Sequence, residues 1–493
     1  MIDTFVEVCI AAAVFAPFVA ALLIVVTPGR LAEPISHVAT LVTVAGAAWL
    51  LPRVLHGEDV AWPIIALLPN VEVAFRVDGL GMTFGLLASG LWVLVNIYNV
   101  GYIKADKLKH SQRYLACFAA SIGSAIGVAF AANLLTFLLF YEVLTLATYP
   151  LVVHKETPQA INAGRRYLLF ALSGGLAVTA GAAWVWSLTG TLSFTPGGFM
   201  HGQAPPAILL TIFGLLLVGC AVKAAIMPLH SWLPAAMVAP SPVSALLHAV
   251  AVVKAGVFGC LRILGYVFGP ESLDGTIGPT VVLVFTAVTI VAGSFIALRH
   301  DNLKRRLAYS TIVHLSFIVL GGALLSPMGT TGAVFHMVNH GLCKITLFLC
   351  AGAIYGTYHL ENISQLAGVG RRMPWTFGAF TAATLGLMGM PGLCGFVSKQ
   401  FLIRGAWQAD EIAYLIVMLI GSVFTAAYLL PVVRTAFFDE PVADLHKPEH
   451  GKDEARPAML LPLLGTATLV AVFGLLPWAI NGQYDLTMLI IRS

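Results

Sequence analysis

Charged residues are scarce in this chain. Asp, Glu, Lys and Arg together supply 10% of its 493 residues, while 59% are hydrophobic. That balance excludes a soluble domain of this size and points to a polytopic membrane protein. The formal net charge is only +4, and no basic patch of the kind that grips nucleic acid is present. Cysteine is sparse as well. Cys9, Cys117, Cys220, Cys260, Cys343, Cys350 and Cys394 fall in or beside apolar runs, with no CxxC or Cys/His metal spacing. Neither an iron–sulfur cluster nor a disulfide scaffold is indicated, so no cofactor and no metal is expected in this chain. The N-terminus lacks a basic leader and a small-residue cleavage site. Its first apolar run therefore reads as a retained helix rather than a signal peptide.

Long hydrophobic runs are what the sequence has in abundance. Fourteen spans are predicted, at about 5–27, 34–52, 79–103, 113–131, 133–153, 165–188, 206–226, 241–267, 277–298, 303–323, 330–354, 374–405 (broken), 412–436 and 457–480. Loops that follow odd-numbered spans carry eighteen Lys and Arg residues; the opposite side carries four, Arg53, Arg76, Arg404 and Arg492. The richer side is cytoplasmic by the positive-inside rule, so both termini are expected on the outer, periplasmic face of a bacterial inner membrane. The polar segment 439–456, with Lys447 and Lys452, reads as a cytoplasmic loop.

Two spans are interrupted. The first interruption lies in KAAIMPLHSWLPAAMVAPSPVSALLHAVAVVKAG, residues 223–256, where Pro228 removes a backbone donor and clashes with the preceding turn. A short piece at 231–238 follows, and Pro240 and Pro242 start a new helix carrying His248 and Lys254. The second lies at Gly389-Met390-Pro391-Gly392, 163 residues after Pro228, with Lys399 just beyond. Broken helices persist at membrane depth only where protein or water satisfies the freed backbone groups, and in transporters they mark ion sites. Corresponding breaks in two halves point to a repeat. Five spans is an odd number, so the two units would be inverted: 1–112 as peripheral helices, 113–268 and 276–437 as the repeats, and 438–493 as loop, last helix and short tail. The expected fold is therefore all-α and polytopic, with about fourteen transmembrane helices and two inverted five-helix repeats, each holding a broken helix.

Five basic residues remain inside spans or at their breaks: Lys223, Lys254, Arg262, Lys344 and Lys399. Of 23 acidic residues, Glu142 alone sits mid-span. Each such charge costs roughly 2.5–3.5 kcal/mol on insertion scales, so a use for them is expected. Arg262, toward the outer end of its helix, is accounted for by snorkelling. Snorkelling accounts less well for Lys254, a dozen residues inside its helix. His336, His340 and Lys344 recur at i, i+4 and i+8 and line one helix face over about 12 Å. His314 and His248 are candidates to extend that row. Satisfied core histidines are the plain alternative. Haem ligation by His336 and His340 is a rival reading, weakened because axial pairs normally come from facing helices and no haem-attachment motif is present.

The stretch MPLHSWLPAAMVAPSPVSALLHA resembles the signature of the antiporter-like membrane subunits of respiratory complex I and of Mrp-type cation/proton antiporters. RHDNLKRRLAYSTIVHLSF, FHMVNHGLCKITLFLCAGAI, RRMPWTFGAF and GMPGLCGFVSKQF match further signatures in order, over about residues 75–405. The APSPVSALLHA run is most like the larger type (complex I chain 5/L and the large A-type Mrp component), whereas the chain length is closer to the D-type Mrp component and complex I chain 4/M. The resemblance implies an ion-translocating subunit, not catalytic alone, within a larger translocase. Protons, or Na+ with protons, would move along a mid-membrane axis. Glu142 and Lys223 would be an ion pair, Lys254 a central relay and Lys399 a terminal site, with His248, His314, His336, His340 and Lys344 bridging them. Pro228, Pro391 and Gly392 would mark the breaks. Partners would be other membrane subunits of an Mrp-type, complex I-type or hydrogenase-type assembly, with redox chemistry confined to them. A proton-coupled subunit of an inorganic-carbon uptake complex and a non-pumping scaffold are the alternatives. Departures from the family pattern are Tyr141 where Trp precedes the glutamate, Pro391-Gly392 with Cys394 where two prolines and a serine are common, and Arg166 in place of a lysine.

Overall fold

The computed structural model describes residues 2–441, 451, 453–476 and 486. Lys447, Lys452, Arg492, the expected end of the last span and the tail lie outside the described residues.

Helices α1 (Ile2–Val26) and α2 (Ala32–Leu55) pack as a pair against the outside of the bundle. A hairpin follows, β1 (Ala61–Leu68) antiparallel to β2 (Val71–Arg76), pairing Ala61 with Arg76 and Leu68 with Val71. This two-stranded hairpin sits in a chain that is otherwise helical, as expected. The run AWPIIALL is too short to span and rich enough in isoleucine to extend, and Asn70 closes the turn at φ +59°, a conformation asparagine tolerates.

Helix α3 (Gly79–Ala105) starts where the Asp78 carboxylate accepts from Gly81 N at 2.8 Å. Helices α4 (Ser111–Ala129) and α5 (Leu134–Val152) follow, the latter capped by Asn133. Helix α6 (Pro158–Thr189) begins on a Thr157 cap with Pro158 in its first turn. Helix α7 (Pro206–Lys223) ends at the first predicted interruption. Beyond it lie α8 (Trp232–Ala235), α9 (Ser241–Ala245) and α10 (Val252–Arg262).

The helix begun at Pro240 is itself interrupted, which the sequence did not suggest. Between α9 and α10 the chain widens into a π turn, Leu246–Val250, and Ala251 N bonds Leu246 O at 2.9 Å. A second π turn, Ile263–Phe268, leads into α11 (Gly269–Leu273).

The remaining helices are α12 (Ile277–Arg299), α13 (Leu303–Ala323), α14 (Pro327–Tyr358), α15 (Val369–Arg372), α16 (Pro374–Met388), α17 (Cys394–Gln408), α18 (Ile412–Phe438) and α19 (Pro457–Leu475). Among the described residues, twelve helical stretches are long and apolar enough to cross a membrane. The other two expected crossings fall on α4 and on the interrupted pair α16–α17. The apolar windows of 241–273 and of α14 are wholly buried, and that of α13 nearly so. Helix α14 packs on α13, α16, α17, α19, α3 and the π turn at once. The basic residues picked out in the sequence lie on and around this interior set.

Candidate functional site

At the first break, two backbone groups find side-chain partners. Trp232 Nε1 donates to Val222 O at 2.8 Å, and Met227 N donates to Thr289 Oγ1 at 3.0 Å. These bonds help α7 stop inside the protein, where freed backbone groups need partners. Gly256 permits the next helix to close on this end, because a Cβ there would sit 2.2 Å from Ala224 N. Lys223, fully buried, places its amine 3.3 Å from the centroid of the Tyr141 ring and donates to the Tyr141 carbonyl.

Glu142 and Lys223, expected as an ion pair, make no direct salt-bridge contact among the described residues. Both Glu142 carboxylate oxygens are buried without a hydrogen-bond partner and pack toward Gly175, where a Cβ would lie 2.1 Å from Oε1. The ring and carbonyl of Tyr141 hold the ammonium, and the next residue on α5 aims its carboxylate at α6 instead.

The central lysine does pair. Lys254 Nζ and His340 Nδ1 are 2.8 Å apart, and both side chains are fully buried. His314 and His336 stack with centroids 5.3 Å apart and bond Nδ1 to Nε2 at 3.1 Å. His336 Nδ1 continues to Ser398 Oγ at 2.9 Å, so both its ring nitrogens are engaged. On the other side, His314 Nε2 meets Thr425 Oγ1 at 3.3 Å, and Thr425 meets the Tyr428 hydroxyl at 3.1 Å. Tyr428 donates to Ser310 Oγ at 3.2 Å, which also accepts from Lys344 Nζ at 2.7 Å. A continuous hydrogen-bonded row therefore runs from Ser398 to Lys344 across α13, α14, α17 and α18.

Lys399 follows Ser398 directly. Its amine donates to Met388 O at 3.0 Å, the last carbonyl of α16, and to Ser422 Oγ at 2.9 Å. A cation at a helix C-terminus is stabilised by the dipole and the orphan carbonyl together. Gly389 (φ +89°) and Gly392 (φ +86°) make the second break in left-handed backbone that favours glycine, and Pro391 is exposed.

His248 is not joined to the row. It lies in the π turn against the Phe348 ring at 4.7 Å, fully buried, with neither ring nitrogen bonded. Nor is the row unbroken overall. Among the described residues no hydrogen bond links Lys223 to Lys254, and the His340 and His314 rings stand 5.8 Å apart.

Arg262 does not snorkel. Its side chain is 2% exposed and grips Asp78 through both terminal nitrogens, among Phe194, Phe258 and Tyr266 at 5.1, 4.9 and 4.4 Å. Sequence reasoning missed this pair, whose members are 184 residues apart. Ser310, Thr425, Tyr428, Ser398 and Ser422 were also missed. Hydroxyl residues are common in apolar helices, and nothing but their three-dimensional placement separates these from the rest.

Comparison with known proteins matches residues 131–425 to the family described as NADH:quinone oxidoreductase/Mrp antiporter, transmembrane. The chain is 33% identical over 398 residues to the NADH-quinone oxidoreductase subunit L of Mycobacterium tuberculosis, covering 79% of this chain and 61% of that one. It is 29% identical over 499 residues to the NAD(P)H-quinone oxidoreductase chain 4 of a Nostoc species, covering 95% of this chain and 88% of that one. One chain of the Mrp complex from Dietzia sp. DQ12-45-1b superposes with a TM-score of 0.88 at 23% identity, over 98% of this chain and 97% of that one.

Proposed function

We infer, because the chain belongs to the NADH:quinone oxidoreductase/Mrp antiporter transmembrane family, that it carries protons across or along a membrane as one subunit of a larger assembly. The observation that carries this is the buried row Ser398–His336–His314–Thr425–Tyr428–Ser310–Lys344, flanked by Lys399 at one break and by the Lys254–His340 pair. Every member exchanges or relays a proton, and no carboxylate among the described residues bonds to it. Glu142, unpaired at the first break, and Lys223 would take up or release the charge that the row passes on.

The chain spans 61% of the tuberculosis relative, so the activity of that whole protein is not carried over by likeness alone. On this reading the two interrupted segments are the gates of two inverted five-helix units, both termini face outward in a bacterial cell membrane, and the partners are further membrane subunits. Any redox chemistry belongs to those partners, since no cofactor is required for proton relay.

The test is pH-gradient formation in membrane vesicles holding the assembled complex. Lys223→Met and Glu142→Gln each abolish it while the complex still purifies whole. Normal gradients in both variants would end this reading.

A further inference from the structure

Cys343 and Cys394 stand apart from the other five cysteines. Cys343 is on α14, one residue before Lys344; Cys394 is the first residue of α17, five before Lys399. Their sulfurs are 3.7 Å apart, both thiols are free, and both are fully buried. This is the one thiol–thiol hydrogen bond among the described residues.

The neighbourhood holds the two helices in register. Asn339, one turn before Cys343, donates from Nδ2 to Cys394 O at 2.7 Å, while the Cys394 thiol points at Asn339 O at 3.9 Å. One turn earlier on α14, His336 reaches Ser398. A disulfide requires sulfurs about 2.05 Å apart, so the thiols must close by roughly 1.7 Å. The chain around Cys394 can supply that movement. It follows the two left-handed glycines Gly389 and Gly392, and as the first residue of α17 it lies at the edge of the break rather than inside a helix. Met390, in the same break, is 43% exposed, so an apolar reagent meets the break at the protein surface.

We propose that Cys343 and Cys394 are a modification site at which a lipid-soluble two-electron oxidant of the quinone class closes a disulfide, fastening the second helix break to α14. Two S–H bonds break and one S–S bond forms. Two electrons and two protons pass to the quinone, which leaves as the hydroquinone. A thiol or dithiol reductant reverses the step. Because both sulfurs are buried, closure proceeds when the break opens, and its rate reports that opening. The consequence for transport rests on the proton-row reading above: Lys399 and Lys344 sit on the two helices so joined, and fixing one against the other stops the break from moving and silences transport.

The experiment uses the intact complex in native membranes treated with tetramethyl-1,4-benzoquinone, which has no open ring position for thiol addition. Free thiols are then alkylated under denaturing conditions and the digest is read by mass spectrometry, with pH-gradient formation measured on the same membranes. The expected result is a peptide pair joined through Cys343 and Cys394, reversed by dithiothreitol and absent in Cys343→Ser and Cys394→Ser. Gradient formation is lost on oxidation in the wild type and kept in Cys343→Ser. Absence of the joined peptide, or equal joining of Cys343 to Cys350, overturns the proposal. Joined peptide with undiminished gradients upholds the modification site and refutes the role given to the second break in transport.

Discussion

Replacing Tyr428 by Phe removes one oxygen and almost nothing else. That oxygen lies 3.1 Å from Thr425 Oγ1 and 3.2 Å from Ser310 Oγ and bridges the two. Two hydrogen bonds are lost, each worth about 0.5–1.5 kcal/mol net. Neither former partner is stranded. Thr425 keeps Gly421 O at 2.7 Å and His314, while Ser310 keeps the Lys344 amine. With no buried group orphaned, the stability cost falls at the low end, about 1 kcal/mol. The effect on transport is of another order. A proton carrier must lie within hydrogen-bonding reach of its neighbours, and a positioned carrier contributes about 100-fold or more. Tyr428→Phe should therefore leave complex assembly intact and cut pH-gradient formation by about 100-fold, the low end of that range. Thr425→Ser, which keeps a hydroxyl at the neighbouring position, should retain most of the rate. The assay is dye-monitored gradient formation in vesicles, set beside thermal stability of the purified complex. A Tyr428→Phe variant that transports at the wild-type rate would refute the row as the route. A variant that transports poorly only because the complex falls apart would show the hydroxyl to be structural.

Other outcomes follow from the same geometry. Lys399→Ala should block transport while leaving Ser398–His336 in place; an unchanged gradient removes Lys399 from the terminal position. Arg262→Met should strip the Asp78 carboxylate of its charged partner and destabilise the chain by about 3 kcal/mol, the low end for a broken buried pair because Asp78 keeps 28% exposure and its bond from Gly81 N. Asp78→Asn with Arg262→Met should recover part of that loss in thermal unfolding, and failure to recover would show the pair to be uncoupled. Cysteines placed at Arg53 and Arg404 should react with a membrane-impermeant maleimide from outside and one at Arg434 from inside; the reverse pattern overturns the orientation.

How far the sequence reached depended on the physics behind each feature. Pro228 and Gly389–Gly392 announced their breaks because proline and left-handed glycine act locally, wherever the chain is folded. The stripe His336, His340 and Lys344 was visible because helical period fixes which side chains share a face. The π turn at Leu246–Val250 was not, since it holds neither proline nor glycine; it packs against α9, α10 and α14. The Arg262–Asp78 pair stayed hidden because contacts across 184 residues carry no local signal. The β1–β2 hairpin was missed because its strands are short and their pairing is a tertiary contact that a run of eight residues does not announce. The Glu142–Lys223 pair came from the family resemblance alone, and a resemblance does not fix side-chain direction: the Lys223 amine here donates to the Tyr141 carbonyl.

The 2.8 Å contact between Lys254 and His340 also limits how much charge the centre of the protein can store. An ammonium offers only donors, and so does an imidazolium. The two side chains can face each other at that distance only when one of them is neutral. They therefore behave as a two-seat bench with room for at most one occupant: a surplus proton taken up there sits on the amine or on the ring, and exchanging seats asks no heavy atom to move.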